Sequence, residues 1–444
     1  MAEPTSTLDS IDPFFAIIHD SQWNACIGQQ GEERNYVDGF MEAAIELVEA
    51  IFDKKLMSQR DTLVLPILYN ARHAVELSLK FAIGRLHREG VIAKHHPITN
   101  HDILSHWKHL HDSNPGDKLL REGVAELEPF IVSLAKIDDD GQEFRYSKNR
   151  EGQPSLAGHA VANLRLIRKS LNALGEILKR LQYRVIDVIA ERSTGSFTTR
   201  CSRSDLLEIA KMLPNRDEWS KSNFDERKAI VKEKFELTNR QFCNALDEIQ
   251  KNREMNIQIG IESNLLHLSD EHAILTIEEW RKRHPIDDPE NELGTDFFGA
   301  DWEKYRHVRN EIKAAILGTL TPDEIADLET LFYIGRESEP CEFYEKDFEG
   351  NKRKNHCRRD VEETVDRMME KPIFSMGLRM AYPLSVDRLW RIDCDNFSDR
   401  ILWRLFQHRP PKSAGPSPTK LRLARSHSHR RMDDGLGLSY RSYS

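Results

Sequence analysis

The chain has few cysteines, no long apolar run and no excess of basic charge, and each shortage removes a class of protein. Its six cysteines, Cys26, Cys201, Cys243, Cys341, Cys357 and Cys394, are scattered without a Cys-x-x-Cys pair. A disulfide scaffold needs a far higher density and a zinc ribbon needs paired ligands, so this usage fits a reducing, cytoplasmic setting. No stretch approaches the roughly eighteen consecutive apolar residues that suggest a membrane span. Met1, Ala2, Glu3 and Pro4 open the chain without the basic and apolar segments of a secretory signal. These features predict a cytoplasmic protein with no membrane partner. The formal net charge of −9 argues against general electrostatic attraction to nucleic acid.

With 444 residues, 39% hydrophobic and 31% charged, the chain is too long for one typical core and predicts two or three domains. From Tyr36 to Arg192 the apolar residues recur at three- and four-residue steps, predicting helices over about 37–57, 60–89, 100–112, 116–136 and 158–191, with few strand-like segments. The last carries Leu164, Ile167, Leu171, Leu174, Ile177, Leu178 and Leu181 on one stripe. An antiparallel bundle or a twofold mate can equally bury such a stripe. Ser193, Thr194, Gly195 and Ser196 then break the pattern and mark a domain boundary.

Three short helices follow: one capped by Ser204 and stopped by Pro214, one from Phe224, and one from Thr238, whose spacing to Gln241 is that of a capping box. They predict a small trihelical, helix-turn-helix-like unit. Arg240, Gln241 and Asn244 on its last helix are candidate nucleic-acid contacts, opposed by Asp247 and Glu248. Further helices are expected around Trp280, over 302–317, and from Pro322. The expected organisation is an N-terminal extension 1–35, a bundle 36–192, a second helical domain 200–345, a poorly defined region 346–408, and a basic, disordered tail 409–444. The fold class is all-α and multidomain.

The candidate chemistry begins at Arg72. Leu65, Leu68, Arg72, Val75, Leu79, Ala82 and Leu86 share one helical face, so Arg72 stands in a slot that periodicity assigns to the core. Glu76 lies one turn on and Lys80 another. A charge in such a slot needs a partner or a polar cleft. Arg72 and Glu76 form either a structural ion pair or a phosphate grip in which Glu76 orients the arginine. Eight of the eighteen histidines, His73, His87, His95, His96, His101, His106, His109 and His111, fall in one stretch, yet no His-Glu-x-x-His spacing appears, so no metal is expected. Cys341, His356 and Cys357 likewise lack a four-ligand zinc pattern. His101, beside the capping residue Asn100, is read as a capping or solvent-side residue, and His73 and His101 as alternative proton-transfer groups. The loop of about twenty residues before helix 158–191 is long enough to be functional. Its Phe144, Arg145 and Tyr146 predict an ordered loop packed on the bundle, with Arg145 free for phosphate or locked onto acids.

The run Arg72-His73-Ala74-Val75-Glu76-Leu77-Ser78-Leu79-Lys80, followed by His101-Asp102-Ile103-Leu104, resembles the central helices of the HEPN superfamily, a resemblance that covers about 36–192. It implies a helical bundle, often dimeric, of a kind found in metal-independent ribonucleases of toxin, RNA-processing and antiviral systems and in non-catalytic binding proteins. For this chain it implies an RNA or nucleotide ligand, no cofactor, a homo-oligomer and a role in bacterial defence or stress. The alternative is a non-catalytic, helical regulatory protein that binds a partner protein or nucleic acid. Active members carry an arginine followed by a histidine little more than a helical turn later. Arg165, Arg168, Arg180 and Arg184 have no such histidine after them; the spacing occurs at Arg88 to His95, across Gly90 and a helix end, and at Arg422 to His427 in the tail.

Overall fold

Asp102, Asp117 and Asn163 decide where three of the first helices begin. The leading amides of a helix have no partner within it, and a short polar side chain at the cap supplies one. Asp102 accepts from the amide of Ser105, Asp117 from that of Leu120, and Asn163 from those of Arg165 and Leu166. The helix expected from 100 therefore starts at Ile103, with Asp102 rather than Asn100 as its cap, and the one expected from 158 starts at Leu164. The single helix expected over 116–136 is two, because Pro129 has no amide hydrogen with which to continue the first ladder.

The computed structural model describes residues 21–369 apart from 28–30, 95, 98, 149–151, 157, 159–160, 262–264, 283–301, 338–339 and 356–357. The fold is all-α. Its first six helices are α1 (Glu33–Asp53), α2 (Arg60–Arg88), α3 (Ile103–Ser113), α4 (Lys118–Glu126), α5 (Glu128–Ile137) and α6 (Leu164–Arg192). Helix α2 packs against α1, α3 and α6, and their facing stripes form one core that includes Val48, Ile67, Leu79, Leu86, Leu110 and Val185. The stripe of α6 is consumed here: Leu171, Leu174, Leu178 and Leu181 are buried in this core, and Leu164 and Ile167 pack against it. The bundle thus closes within one chain, and that stripe is not free for a twofold mate. Each such leucine contributes about 1.5–3 kcal/mol of burial.

A second core is formed by α7 (Arg203–Met212), α8 (Ser222–Phe235), α9 (Asn239–Lys251) and α10 (Arg253–Gln258). Four helices build it rather than three, since α10 adds the buried Met255. Helix α7 is capped by Ser202 in a reciprocal box with Asp205, not by Ser204, whereas Thr238 and Gln241 form the capping box expected of α9. Helices α8 and α9 are joined through Glu236, in the left-handed region, and the buried Leu237.

The third core holds α11 (Asp270–Arg281), α12 (Trp302–Thr319), α13 (Pro322–Glu337), α14 (Tyr344–Lys354) and α15 (Arg358–Met369). The stretch 200–345 therefore contains parts of two cores, and the residues up to Met369 that the sequence left undefined complete the third. The rest of 346–408, the tail 409–444, His95, His356 and Cys357 lie outside the described residues. Among the described residues no helix is long and apolar enough to cross a membrane, and the one extended pairing is a bridge between Lys148 and Pro154.

Polar joints connect the cores. Arg184 of α6 donates to both oxygens of Asp117, at 3.1 and 2.6 Å, to Glu191 at 2.7 Å and to the Ser202 hydroxyl at 3.1 Å. Asp117 is fully buried, so it needs this partner. Beside it, Asp205 accepts from the amides of Lys118 and Ser202. Burial and the neighbouring Asp117 push its carboxyl up to about 6. Gly116 lies so close to the second core that a Cβ there would sit 2.8 Å from the Thr199 carbonyl oxygen. On the far side, Arg203 bridges Glu254 and Glu342, tying the second core to the segment that leads into α14.

Arg184→Leu leaves Asp117 buried without a counter-ion and is expected to lower stability by about 3–5 kcal/mol in urea unfolding at neutral pH. A loss below about 1 kcal/mol, the range of exposed pairs, would show that water replaces the arginine.

Candidate functional site

The guanidinium of Arg72 is 3% exposed and is met by acceptors from three segments. Its Nε donates to the Asp138 carbonyl at 2.8 Å, Nη1 to Glu76 Oε2 at 3.1 Å, and Nη2 to the carbonyls of His101 at 2.6 Å and Asp139 at 3.1 Å. The Asp138 carboxylate stands 3.6 Å from Nε. Helix α2 is thereby locked to the residue preceding the α3 cap and to the loop leaving α5. Gly141 completes the enclosure: its φ is +79°, and a Cβ would lie 3.0 Å from Arg72 Nη1. Arg72 is therefore a structural tie. The expectation that it grips a phosphate fails because its fork is buried and already occupied.

Glu76 is the hinge between this tie and the surface. One carboxylate oxygen accepts from Arg72; the other, Oε1, accepts from Lys80 Nζ at 2.7 Å and faces His101 Nδ1 at 2.8 Å. Burial acts to raise the Glu76 carboxyl, but the hydrogen bonds and charges of Lys80 and His101 outweigh it and hold the group below its ordinary value. An ionised carboxylate only accepts, so the His101 ring donates to it from Nδ1, and Nε2 is the ring nitrogen not used in this pair. The carboxylate side chain is 2% exposed and the imidazole 49%. A buried, charge-saturated carboxylate orienting a half-exposed imidazole is an arrangement suited to general-base chemistry. Glu76 therefore contacts His101 as well as Arg72 and Lys80.

His73 lies on the same helix face, within electrostatic reach of Glu76, Arg72, Lys80 and Arg145. Its ring stacks on Tyr69 at 5.6 Å and meets Phe40 edge-on at 4.4 Å. Burial lowers its pKa, and Tyr69 and Phe40 cover its ring, so the structure shows it as a packing residue beside the pair. The guanidinium of Arg145 lies 5.7 Å from the Tyr69 ring centre and 5.4 Å from that of Tyr146, and its Nε donates to the Gly141 carbonyl at 2.7 Å. Phe144 is buried and anchors the loop, whereas Tyr146 is exposed. Arg145 is thus held by its Nε and its aromatic neighbours, with its terminal nitrogens on the surface. The structure gathers Arg72, His73, Glu76, His101 and Arg145 into one region. Sequence reasoning missed Tyr69, which links Arg145 to His73, and Asp138, whose only signal was its place in an acidic run after a helix.

Three of the remaining histidines, His96, His106 and His109, pair among themselves. His96 Nε2 lies 2.9 Å from His106 Nδ1, His96 stacks on His109, and Nε2 of the fully buried His106 approaches the Asn100 carbonyl at 3.3 Å. Burial lowers the pKa of His106 and of His109. Among the described residues no group of three or more histidines, cysteines or acids is arranged to hold a metal ion. In the second core, Arg240 and Asn244 are exposed on α9, but Gln241 is committed to the cap through its bond from the Thr238 amide, so the expected three-residue contact face is reduced to two. No family model, curated protein or solved structure matches the chain.

Gly141→Ala is expected to destabilise the protein by about 1–2 kcal/mol in urea unfolding, since the left-handed backbone alone costs a non-glycine residue that much and the methyl also presses on Arg72. A pH effect follows from His73. Its native pKa lies below the unfolded value, so its contribution is complete above about pH 6.5 and is lost as pH falls toward the native pKa. His73→Phe keeps the ring packing and removes the titration. The variant should therefore lose less stability than wild type between pH 7.5 and pH 5.5, roughly the span over which histidine titrates; parallel losses would refute the assignment.

Proposed function

We propose that this chain is a HEPN-like helical protein that binds RNA at the edge formed by His101, Lys80, Arg145 and Tyr146, and that His101 makes it a metal-independent endoribonuclease. The observation that carries the reading is the Glu76–His101 pair, a half-exposed imidazole whose Nδ1 lies 2.8 Å from a buried carboxylate. In the proposed step Nε2 of His101 takes the proton of a ribose 2′-hydroxyl as its oxygen attacks the adjacent phosphorus. The bond from phosphorus to the 5′-oxygen breaks, that oxygen takes a proton from water while His101 Nε2 returns to solvent the proton it took, and a cyclic phosphate and a 5′-hydroxyl result. Arg145 neutralises charge on the phosphate oxygens, and the Tyr146 and Tyr69 rings offer stacking surfaces of the kind that single-stranded bases use. Lys80 supports the site indirectly by keeping Glu76 ionised.

A non-catalytic binding module is the second reading. It is favoured by the complete internal use of Arg72, which leaves Arg145 as the arginine at this edge with exposed terminal nitrogens.

The two separate on incubation of the full chain with labelled single-stranded and hairpin RNA in the presence of chelator. The first reading expects cleavage by wild type, a loss of about 100-fold or more in His101→Ala with binding retained, and weaker binding with a shallower salt dependence in Arg145→Ala. Binding without cleavage leaves the second reading. Cleavage that persists unchanged in His101→Ala, or no RNA binding at low salt, overturns the proposal.

A further inference from the structure

The first turns of α6 break a rule of helix electrostatics. The N-terminal end of a helix carries a partial positive charge and favours acids, yet α6 has no acid in its first turn and presents Arg165, Arg168 and Lys169 instead. These three, with Asn172 and Phe52 from the end of α1, line an open cleft of about 560 Å³. Arg168 is fixed within it: its guanidinium lies 5.1 Å from the Phe52 ring centre, donates from Nε to Glu49 at 2.7 Å, and reaches the second oxygen of the same carboxylate at 2.5 Å. That bond and the charges of Glu49 and Asp53 raise its pKa further. Arg165 and Lys169 are different. They stand four residues apart on the same face, and the side chain of neither meets an acidic partner among the described residues.

The same positive potential that makes this segment unfavourable on its own makes it favourable with an anion bound. Side chains one turn apart lie about 5–6 Å apart at their Cβ atoms, a spacing that suits two successive phosphoryl groups better than one isolated charge. Arginine supplies a planar fork and lysine a point charge, the two donor types that proteins use for phosphate. The Phe52–Arg168 stack is a flat wall, and the Asn172 amide both donates and accepts. We infer that this cleft binds a nucleoside polyphosphate, its diphosphate on Arg165 and Lys169 and its base end toward Phe52 and Asn172. The inference does not depend on the Glu76–His101 pair, whose residues take no part in the cleft.

Calorimetric titration of the full chain at low salt with ADP, inorganic pyrophosphate, adenosine and a short single-stranded RNA tests it. ADP and pyrophosphate are expected to bind and adenosine, which lacks the phosphates, to fail. Arg165→Ala with Lys169→Ala should weaken ADP binding about 30-fold or more, the scale of one to two charge-assisted hydrogen bonds, while Arg165→Lys with Lys169→Arg retains most of it and His101→Ala changes nothing. Both positions are exposed, and circular dichroism melts establish that the variants fold. Failure of ADP to bind at millimolar concentration, or equal binding by the double alanine variant, overturns the inference. If RNA binding rather than ADP binding is lost in that variant, the phosphates recognised are those of an RNA backbone and the nucleotide assignment falls.

Discussion

A guanidinium taken out of water must be met by acceptors wherever the chain can bring them, and at Arg72 they come from α2 itself, from His101 and from the loop after α5. The hydrogen bonds to the carbonyls of His101, Asp138 and Asp139 fix the relative positions of segments far apart in sequence. Removing such a charge from water costs several kcal/mol, so the folded state must keep all of these contacts together. Everything at the candidate site follows from that requirement. His101 is near Glu76 because its own carbonyl is tied to Arg72, and Arg145 is near Tyr69 because Gly141, four residues before it, packs against the guanidinium.

The same logic recurs between the cores. Arg184 does for Asp117, Glu191 and Ser202 what Arg72 does within the bundle, and Arg203 does it again for Glu254 and Glu342. Apolar burial stabilises each core but is indifferent to orientation. Directional bonds to buried charges are not, and they set how one core meets the next. A close approach such as that of Gly116 to Thr199 is tolerable because these bonds hold the two backbones in one arrangement.

Two surfaces with different chemistry result. At the Glu76–His101 edge a buried carboxylate holds a half-exposed imidazole; at the cleft of Arg165, Lys169 and Phe52 the exposed groups are cations. The first arrangement is suited to moving a proton and the second to holding an anion.

Much of the fold was legible along the chain. The stripe from Leu164 to Leu181, the break at Gly195, the Thr238–Gln241 box and the start at Pro322 are local signals, and periodicity and capping act over a few residues, so sequence alone determined them. Arg72 was marked as a charge in a core slot and Glu76 as its neighbour for the same reason. What the sequence could not determine is which of two satisfactory outcomes a charge adopts. Whether Arg72 faces a ligand or the protein depends on Asp138 and Asp139, more than sixty residues away, and whether the stripe of α6 meets its own bundle or a second copy depends on where α1 and α2 lie. Likewise Arg165 and Lys169 look like solvated helix residues until Phe52 is brought beside them. Tertiary structure decided these matters because a buried charge or a cleft is defined by the atoms around it, and those atoms come from elsewhere in the chain.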